Sequence, residues 1–227
     1  MLTKLMFNSM IIAIHKAEER GATELGWLHS KHSFSFGNYY SPKRIGFGLL
    51  KVLNDDIVEP GKGFGRHFHD NMEIVSIVLE GSLEHKDNMG NHGIIKAGEV
   101  QRISAGTGIT HSELNGSSKE KVHFLQVWVE PKEAGIKPSY EQKKIDLKKN
   151  ELVEVVSGKK NKDMIYIDQD AVFSIGNFDK NKTIGYKLNN PRHGIFVFAV
   201  SGEIKIEKDR LQKVDSAEIT DVRRTMG

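Results

Sequence analysis

The sequence of this 227-residue chain predicts an all-β protein built from two related β-barrels in tandem. Short apolar or alternating runs, which are typical of strands, occupy most of the chain and are separated by turn residues. The 22 glycines suit the many turns that such a fold needs. No segment has the periodicity of a long helix, and the best helix candidate is the short PSYEQKKIDL, residues 138–147.

The predicted strands follow one another along the whole chain. They are residues 10–17, 46–55, 72–81, 82–87, 93–106, 122–131, 163–178, 182–189, 194–202 and 203–209. The turns between them carry the expected residues, as in Gly81-Ser82, Asn88 to Asn91, Asn115-Gly116 and Asn189 to Pro191.

An internal repeat predicts the division into two barrels. EIVSIVLEGSLEHKD, residues 73–87, resembles GIFVFAVSGEIKIEKD, residues 194–209, since each has an apolar run, a turn glycine and an alternating strand. Residues 131–162 are rich in Lys, Glu, Gly, Pro and Ser and predict a linker. We therefore expect an N-terminal barrel over residues 11–135 and a C-terminal barrel over residues 136–227.

Aligning the repeats on Gly81 and Gly202 predicts two differences between the barrels. His67 lies fourteen residues before Gly81, but the same offset before Gly202 falls on Leu188, so the second barrel is predicted to be metal-free. Only twenty-five residues follow Gly202, too few for the last strands, so this barrel is expected to be incomplete at its C-terminus. Its open edge would be covered by the N-terminal strand, by another chain or by nothing. The sequence leaves open whether this C-terminus is natural, truncated or frameshifted.

Composition excludes several classes of protein. A net charge of +3 is a mild excess that does not predict direct nucleic-acid binding. No run reaches the ~18 apolar residues of a membrane span, and Asn8 and Ser9 interrupt the apolar start, so no signal peptide is predicted. Met10 is an alternative start that would make residues 1–9 an upstream extension. Zero cysteines exclude disulfides and thiolate metal sites, and are compatible with the cytoplasmic location that we expect.

Two pairs of polar residues predict a metal site. His67 and His69, in RHFHDNMEIVSIVLEG, project from one face of a strand while Phe68 points away, because side chains alternate. His111 and Glu113, in AGTGITHSELNG, have the same spacing. Together the pairs would supply three imidazoles and a carboxylate, a set suited to iron, manganese, nickel, copper or zinc. The alternative, polar strand ends without a shared ligand, is less favoured because two glycine-flanked pairs occur.

These motifs carry a family resemblance. GKGFGRHFHDNME and GTGITHSELN resemble the two motifs of the cupin superfamily. More closely, residues 65–113 together with GWLHSKHSFSFGNYY upstream resemble the pirin family, over about residues 11–205 and most specifically over 27–130. The resemblance implies two facing cupin barrels, jelly-roll-like in form, with iron in the N-terminal one. It also implies that the metal ligands are His67, His69, His111 and Glu113.

The sequence departs from the general cupin pattern at two positions. Glu73 stands where many cupins have their glutamate ligand, whereas the pirin pattern uses Glu113. Glu73 is therefore a candidate base or a supporting residue at the mouth of the strand. Gly106 replaces the proline of the second motif.

The resemblance implies an iron-dependent dioxygenase with the activity named quercetin 2,3-dioxygenase. Its cofactor would be one transition metal ion. Fe(II) is the expected ion, with Mn, Ni, Cu or Zn as alternatives. Its partners would be dioxygen and a small aromatic substrate such as a flavonol, and Glu113 or Glu73 would accept the proton of the substrate hydroxyl. A non-enzymatic, iron-dependent regulator of a partner protein and an inactive truncated paralogue are the alternatives. The oligomeric state and the physiological substrate are not predicted.

Other candidates have more ordinary interpretations. His29 and His32 suit a polar strand and turn, and the scattered histidines, His85 among them, are usually solvated or hydrogen-bonded. Ser112 lies between two ligands but would point to the opposite face. An aromatic pocket is the less common role, compared with the core, for Phe34, Phe36, Phe47, Phe64, Phe68 and Trp128.

Overall fold

The computed structural model describes residues 10–188, 190 and 192–221. The predictions about residues 1–9 and about the ending after Asp221 lie outside these residues. The described elements are β1 (Met10–His15), a short 3₁₀ helix (Ala17–Glu19), β2 (Gly21–Glu24), β3 (Leu28–His32), β4 (Leu50–Val58), β5 (Gly63–His69), β6 (Glu73–Glu80), β7 (Ser82–Asp87), β8 (His92–Lys96), β9 (Glu99–Ser104), β10 (Ile109–Asn115), β11 (Val122–Val129), β12 (Ser139–Lys144), β13 (Leu152–Ser157), β14 (Ile165–Tyr166), β15 (Val172–Gly176), β16 (Ile195–Phe198), β17 (Ile204–Ile206), β18 (Asp209–Leu211) and β19 (Ser216–Asp221). The prediction of an all-β protein is confirmed, and no helix among these residues is long and apolar enough to span a membrane.

The chain divides into two compact units. The larger unit comprises residues 21–184, and the smaller unit comprises residues up to Arg20 together with those from Gly185 onward. The domain bounds 11–135 and 136–227 stay a prediction.

Two antiparallel sheets of the larger unit carry the candidate site. A seven-stranded sheet has the order β12-β9-β6-β11-β4-β3-β2, and a four-stranded sheet has the order β5-β10-β7-β8. A third sheet, β14-β13-β15, belongs to the same unit. The apolar side chains form two clusters. One contains Leu28, Val58, Val78, Leu83, Ile95, Val122 and Phe124. The other contains Ile74, Ile103, Ala105 and Ile109, with Trp128 and Tyr140 packed against it.

A row of buried polar side chains runs across five strands of the seven-stranded sheet. It lies between the two apolar clusters. On β11, for example, Phe124 belongs to the first cluster, Gln126 to the row and Trp128 to the second cluster, because alternate residues share a face. The registers of β9, β6, β11, β4 and β3 place the row's members opposite one another. We call this the interior polar row: Gln101, Ser76, Gln126, Asn54 and His32.

Three element predictions are wrong. Residues 138–147, the best helix candidate, contain strand β12, which pairs with β9. Tyr140 joins an apolar cluster while Glu141 binds Arg102, so the segment has a period of two rather than a helical one. The predicted linker, 131–162, contains β12 and β13, and residues 182–188 of a predicted strand carry no strand. Strands β2, β13 and β19 were absent from the predicted set, and β3, β5 and β10 were predicted as strands only through their polar residues.

The smaller unit is a three-stranded sheet, β1-β19-β16, with a β17-β18 hairpin. β1 pairs with β19 along its length, from Met10 opposite Asp221 to His15 opposite Ser216. Of the three alternatives for the open edge, pairing with the N-terminal strand is the one observed. The repeat's glycines, Gly81 and Gly202, both adopt positive φ, +74° and +70°, which supports their alignment as equivalent turns.

Candidate metal centre

The pairing of β5 with β10 brings the two predicted ligand pairs together. In this antiparallel register His111 lies opposite His67, and Ile109 lies opposite His69. The register then shifts between His111 and Glu113, which pairs with Phe64. Such a bulge re-aims side chains at the edge of a sheet. Burial alternates along β10, with His111 and Glu113 both 1% exposed, as the spacing predicted.

Three of the four predicted ligands converge. The rings of His67, His69 and His111 have centroids 4.4 to 5.0 Å apart. One ring nitrogen from each lies within 4.8 Å of the others. Donor atoms that share one ion at roughly 2.1 Å each lie about 3–4 Å apart, so these histidines are close to the arrangement that an ion requires. Phe68, between two of them, points away and is 60% exposed.

The hydrogen bonding of the histidines fits a metal. Both ring nitrogens of His111 are buried and lack a hydrogen-bond partner among the described residues. A buried polar atom without a partner is costly, and a metal ion would supply one here. The Nδ1 of His67 lies 2.7 Å from the carbonyl oxygen of Gly65. Donation of Nδ1–H to that carbonyl leaves Nε2 free for a metal, which is the usual arrangement of a histidine ligand.

The charge state of the histidines also suits metal binding. Burial, aided by the neighbouring imidazoles of His111 and His67, lowers the pKa of His69 to about 4. Burial, with His67 and His85 nearby, lowers the pKa of His111 to about 3. Both rings are therefore neutral at neutral pH, and a neutral imidazole is the form that binds metals.

Glu113, the fourth predicted ligand, lies beside His111 within a dense set of donors. Its Oε2 accepts a hydrogen bond of 2.6 Å from the Gln126 amide. Its Oε1 accepts bonds from the Gln101 amide and, at 3.2 Å, from the Ser76 hydroxyl. A carboxylate has about four lone-pair sites, so these three bonds leave one for a metal.

His85 is a site residue that the sequence analysis missed. It is fully buried, pairs across the β7–β10 ladder with Glu113, and forms with Glu113 and His111 a second group of close ligand atoms. Its Nε2 lies 3.1 Å from an Asp87 carboxylate oxygen, and its ring stacks on Tyr140 at 4.4 Å. Its place beside Glu113 follows from the pairing of β7 with β10, which the spacing of residues along the sequence does not show.

Glu73 is not brought together with the histidines. Ser76, on the same strand, hydrogen-bonds Glu113, and residues three apart on a strand face opposite sides of the sheet. Glu73 instead accepts a 2.9 Å hydrogen bond from Ser104 and is fully buried. Burial raises its pKa against the opposing effects of that bond and of Arg102.

Aromatic rings line one side of the histidines. The Trp128 ring lies edge-on to His69 with centroids 4.9 Å apart, and Phe36 packs against Trp128 at 5.5 Å. His32, in the interior polar row, is 2.8 Å from both Thr23 and Asn54 side-chain oxygens and lies beside Phe36. His29 is an exposed residue of β3 that pairs with Glu24.

Comparison with known proteins places these features in a family. Residues 14–129 match the family model described as Pirin, and residues 154–226 match the one described as the quercetinase C-terminal cupin domain. These matches and the structural likeness below confirm a cupin-type, two-domain fold.

Curated relatives cover different shares of the chain. The quercetin 2,3-dioxygenase of Escherichia coli K12 is 54% identical over 136 residues, which are 60% of this chain and 59% of that protein. The alignment thus spans less than two thirds of that relative's length. A putative quercetin 2,3-dioxygenase of Zymomonas mobilis is 40% identical over 205 residues, 89% of this chain and 86% of that protein.

A solved structure shares the fold. The crystal structure of the bacterial pirin YhhW from Escherichia coli, in complex with nickel(II), aligns with a TM-score of 0.88 and 40% identity. The alignment covers 93% of this chain and 90% of that one.

Proposed function

The chain belongs to the pirin family, and from that premise we propose that it is a metal-dependent dioxygenase that cleaves flavonols such as quercetin. The observation that carries the proposal is the convergence of His67, His69 and His111, whose ring nitrogens lie within 4.8 Å of one another. The E. coli relative named quercetin 2,3-dioxygenase and the nickel(II) complex of the E. coli pirin support it.

The ion would be held by these three histidines and Glu113. We propose Fe(II) as the physiological ion, with Mn, Ni, Cu or Zn able to occupy the same donor set. When bound, the ion supplies Lewis acidity and the coupling between the flavonol and dioxygen. His85 is the remaining candidate near Glu113. Its Nε2 is engaged by Asp87 and its buried Nδ1 has no hydrogen-bond partner among the described residues, but it lies outside the group of three histidines that we assign to the ion.

The protein's own residues would orient the substrate and accept its proton. Trp128 lies beside His69 and Phe36 packs against Trp128, and a flat flavonol ring can pack against these aromatic side chains. Of the two candidate bases, only Glu113 lies beside the histidines, whereas Glu73 lies on the opposite face of its sheet. We therefore assign proton acceptance from the flavonol hydroxyl to Glu113, which would exchange the longest of its three hydrogen bonds, the one from Ser76, for that proton.

The test is turnover of quercetin by iron-loaded protein. Under oxygen we expect loss of quercetin absorbance together with release of carbon monoxide, and His69→Ala should abolish both. If iron-loaded protein neither bleaches quercetin nor releases carbon monoxide, the proposal is wrong for this substrate. If His69→Ala changes binding to a partner protein while the wild type shows no turnover, the alternative of a metal-dependent regulator is favoured.

A further inference from the structure

Gln126 is a buried polar residue in an otherwise apolar strand. It lies in the middle of β11, in the sequence VHFLQVWV, and is 8% exposed. Its neighbours on the same face, Phe124 and Trp128, belong to apolar clusters. Burying an amide destabilises a protein unless its hydrogen bonds are made, so the partners of Gln126 indicate its role.

Both ends of the Gln126 amide have partners at the candidate metal centre. The Nε2 donates to Glu113 Oε2 at 2.6 Å, and the Oε1 accepts from Trp128 Nε1 at 3.3 Å. The indole N–H can only donate, and an ionised carboxylate can only accept. The orientation of the Gln126 amide is therefore fixed by chemistry at both ends.

These bonds close a chain of contacts around the site. Trp128 lies edge-on to His69, so the chain runs from His69 through Trp128 and Gln126 to Glu113. Gln101 and Ser76 hold the other carboxylate oxygen, Oε1, and neither is bonded to the indole. Among these three donors, Gln126 is the one whose described hydrogen bonds join the Glu113 carboxylate to the Trp128 indole.

We propose that Gln126 is a positioning residue that fixes the Glu113 carboxylate and the Trp128 indole relative to His69. The inference rests on the proposed function, because it assigns Glu113 to the metal and Trp128 to the substrate. Gln126 thereby couples two properties of the site, the retention of the ion through Glu113 and the fit of an aromatic substrate through Trp128.

Two substitutions separate the two halves of this role. Gln126→Glu keeps an acceptor for the indole but replaces the donor to Glu113 with a second carboxylate, which repels it. Trp128→Phe removes the indole N–H but leaves the bond between Gln126 and Glu113. A third substitution, Gln126→Met, removes both bonds without adding charge and serves if Gln126→Glu fails to fold.

The experiment measures the release of cobalt(II) from loaded protein to excess chelator, together with the visible absorption spectrum of the bound cobalt. Changes to a group that orients a metal ligand typically reduce metal affinity by about 10–100-fold. We expect Gln126→Glu and Gln126→Met to accelerate release by about tenfold or more and to alter the spectrum. Trp128→Phe should leave release and spectrum unchanged but raise KM for quercetin.

A matched control exists in the smaller unit. Gln212 donates through Nε2 to a Glu203 carboxylate oxygen at 2.7 Å, the same amide-to-carboxylate bond as between Gln126 and Glu113 but in an exposed position. Gln212→Glu should leave cobalt release and its spectrum unchanged.

Release at the wild-type rate from Gln126→Glu or Gln126→Met, with an unchanged spectrum, would overturn the inference while leaving the proposed function intact. Wild-type protein that binds no cobalt(II) would instead overturn the proposed function, and this inference with it.

Discussion

At the scale of single residues, His111 has the most constrained position in the site. It is 1% exposed, both of its ring nitrogens lack a hydrogen-bond partner among the described residues, and it belongs to both groups of close ligand atoms. One group adds His67 and His69, and the other adds His85 and Glu113. Single substitutions can therefore show which of these neighbours share an ion with His111.

Substitution of Glu113 and of His85 distinguishes their roles, because only Glu113 is proposed as a metal ligand. Glu113→Gln replaces a carboxylate ligand with an amide, so we expect nickel(II) affinity to fall by at least about tenfold. His85→Gln should retain one nickel per chain, because His85 lies outside the group of three histidines that we propose as ligands. Isothermal titration of metal-free protein measures both. Loss of binding in His85→Gln with full binding in Glu113→Gln would contradict the assignment.

Asp56 predicts a pH dependence of stability away from the ligands. It is 2% exposed on β4 and accepts a hydrogen bond from Ser30. Burial raises its pKa to about 7, with Asp55 and Glu113 adding to the shift and Ser30 and His123 opposing it.

Because its folded pKa exceeds its unfolded value, the stability that protonated Asp56 contributes is lost as pH rises from about 4 through about 7. Asp56→Asn should therefore be more stable than wild type near pH 8, by up to roughly 4 kcal/mol, with a smaller difference near pH 5. Urea denaturation at both pH values measures this, with exposed Asp163→Asn as the control. A difference that is equal at both pH values would contradict the role of Asp56.

The sequence predicted single residues well where the pattern was local. The shared face of His67 and His69, and of His111 and Glu113, follows from strand alternation alone. His85 and Gln126 could not be predicted, since their proximity to Glu113 depends on cross-strand register and on the packing of two sheets. The metal assignment itself stays a prediction.

At the scale of elements, the close approach of β5 to β10 decides the geometry of the site. Gly63, at the start of β5, has φ +151°, and a Cβ there would meet the backbone carbonyl of Glu113 and lie 2.6 Å from the Cα of Leu114. A side chain at this position would push the two strands apart, and with them the two ligand pairs.

Gly63→Ala should therefore weaken metal binding as well as stability. The matched control is Gly61→Ala, which also has positive φ, +64°, but would meet nothing within 4 Å. We expect the control to lose about 1 kcal/mol of unfolding free energy and to keep its metal. Thermal unfolding and nickel titration of both variants test this, and equal metal affinity in the two would show that the strand contact does not set the site.

Element prediction succeeded for the longest apolar strands and failed for polar ones and for the shorter apolar strand β13, LVEVVS. β6 and β11, with continuous β-branched and aromatic residues, were predicted, whereas the lysine-rich β12 was assigned to a helix or a linker. Tertiary contacts decide β12: Tyr140 packs on His85, and Arg102 bonds Ser139 and Glu141. Such contacts override a weak local preference.

At the scale of the whole molecule, chain ends that are far apart in sequence form one sheet. In the smaller unit β1 pairs with β19, and Ile12 of β1 packs against a cluster of Ala199, Leu211 and Ala217. The repeat predicted a second β unit correctly, but the pairing of its strands with the N-terminus was only one of three alternatives.

Ile12→Ala should lower the stability of the smaller unit by about 1–3 kcal/mol, because it removes methyl and methylene groups that are partly buried against this cluster. Ile11, the neighbour on the opposite face, is 43% exposed, so Ile11→Ala is the matched control. Hydrogen exchange of the β19 amides should quicken in the first variant only, while both keep their metal, since every proposed ligand lies in the larger unit. Equal exchange in the two variants would contradict the packing of β1.

The proposed function as a whole depends on one ion held by His67, His69, His111 and Glu113. Elemental analysis after anaerobic loading with Fe(II) and desalting tests this most directly, on wild type and on His111→Ala. We expect one iron per chain in the wild type and almost none in the variant. A variant that retains as much iron as the wild type, or a wild type that retains no transition metal, would contradict it.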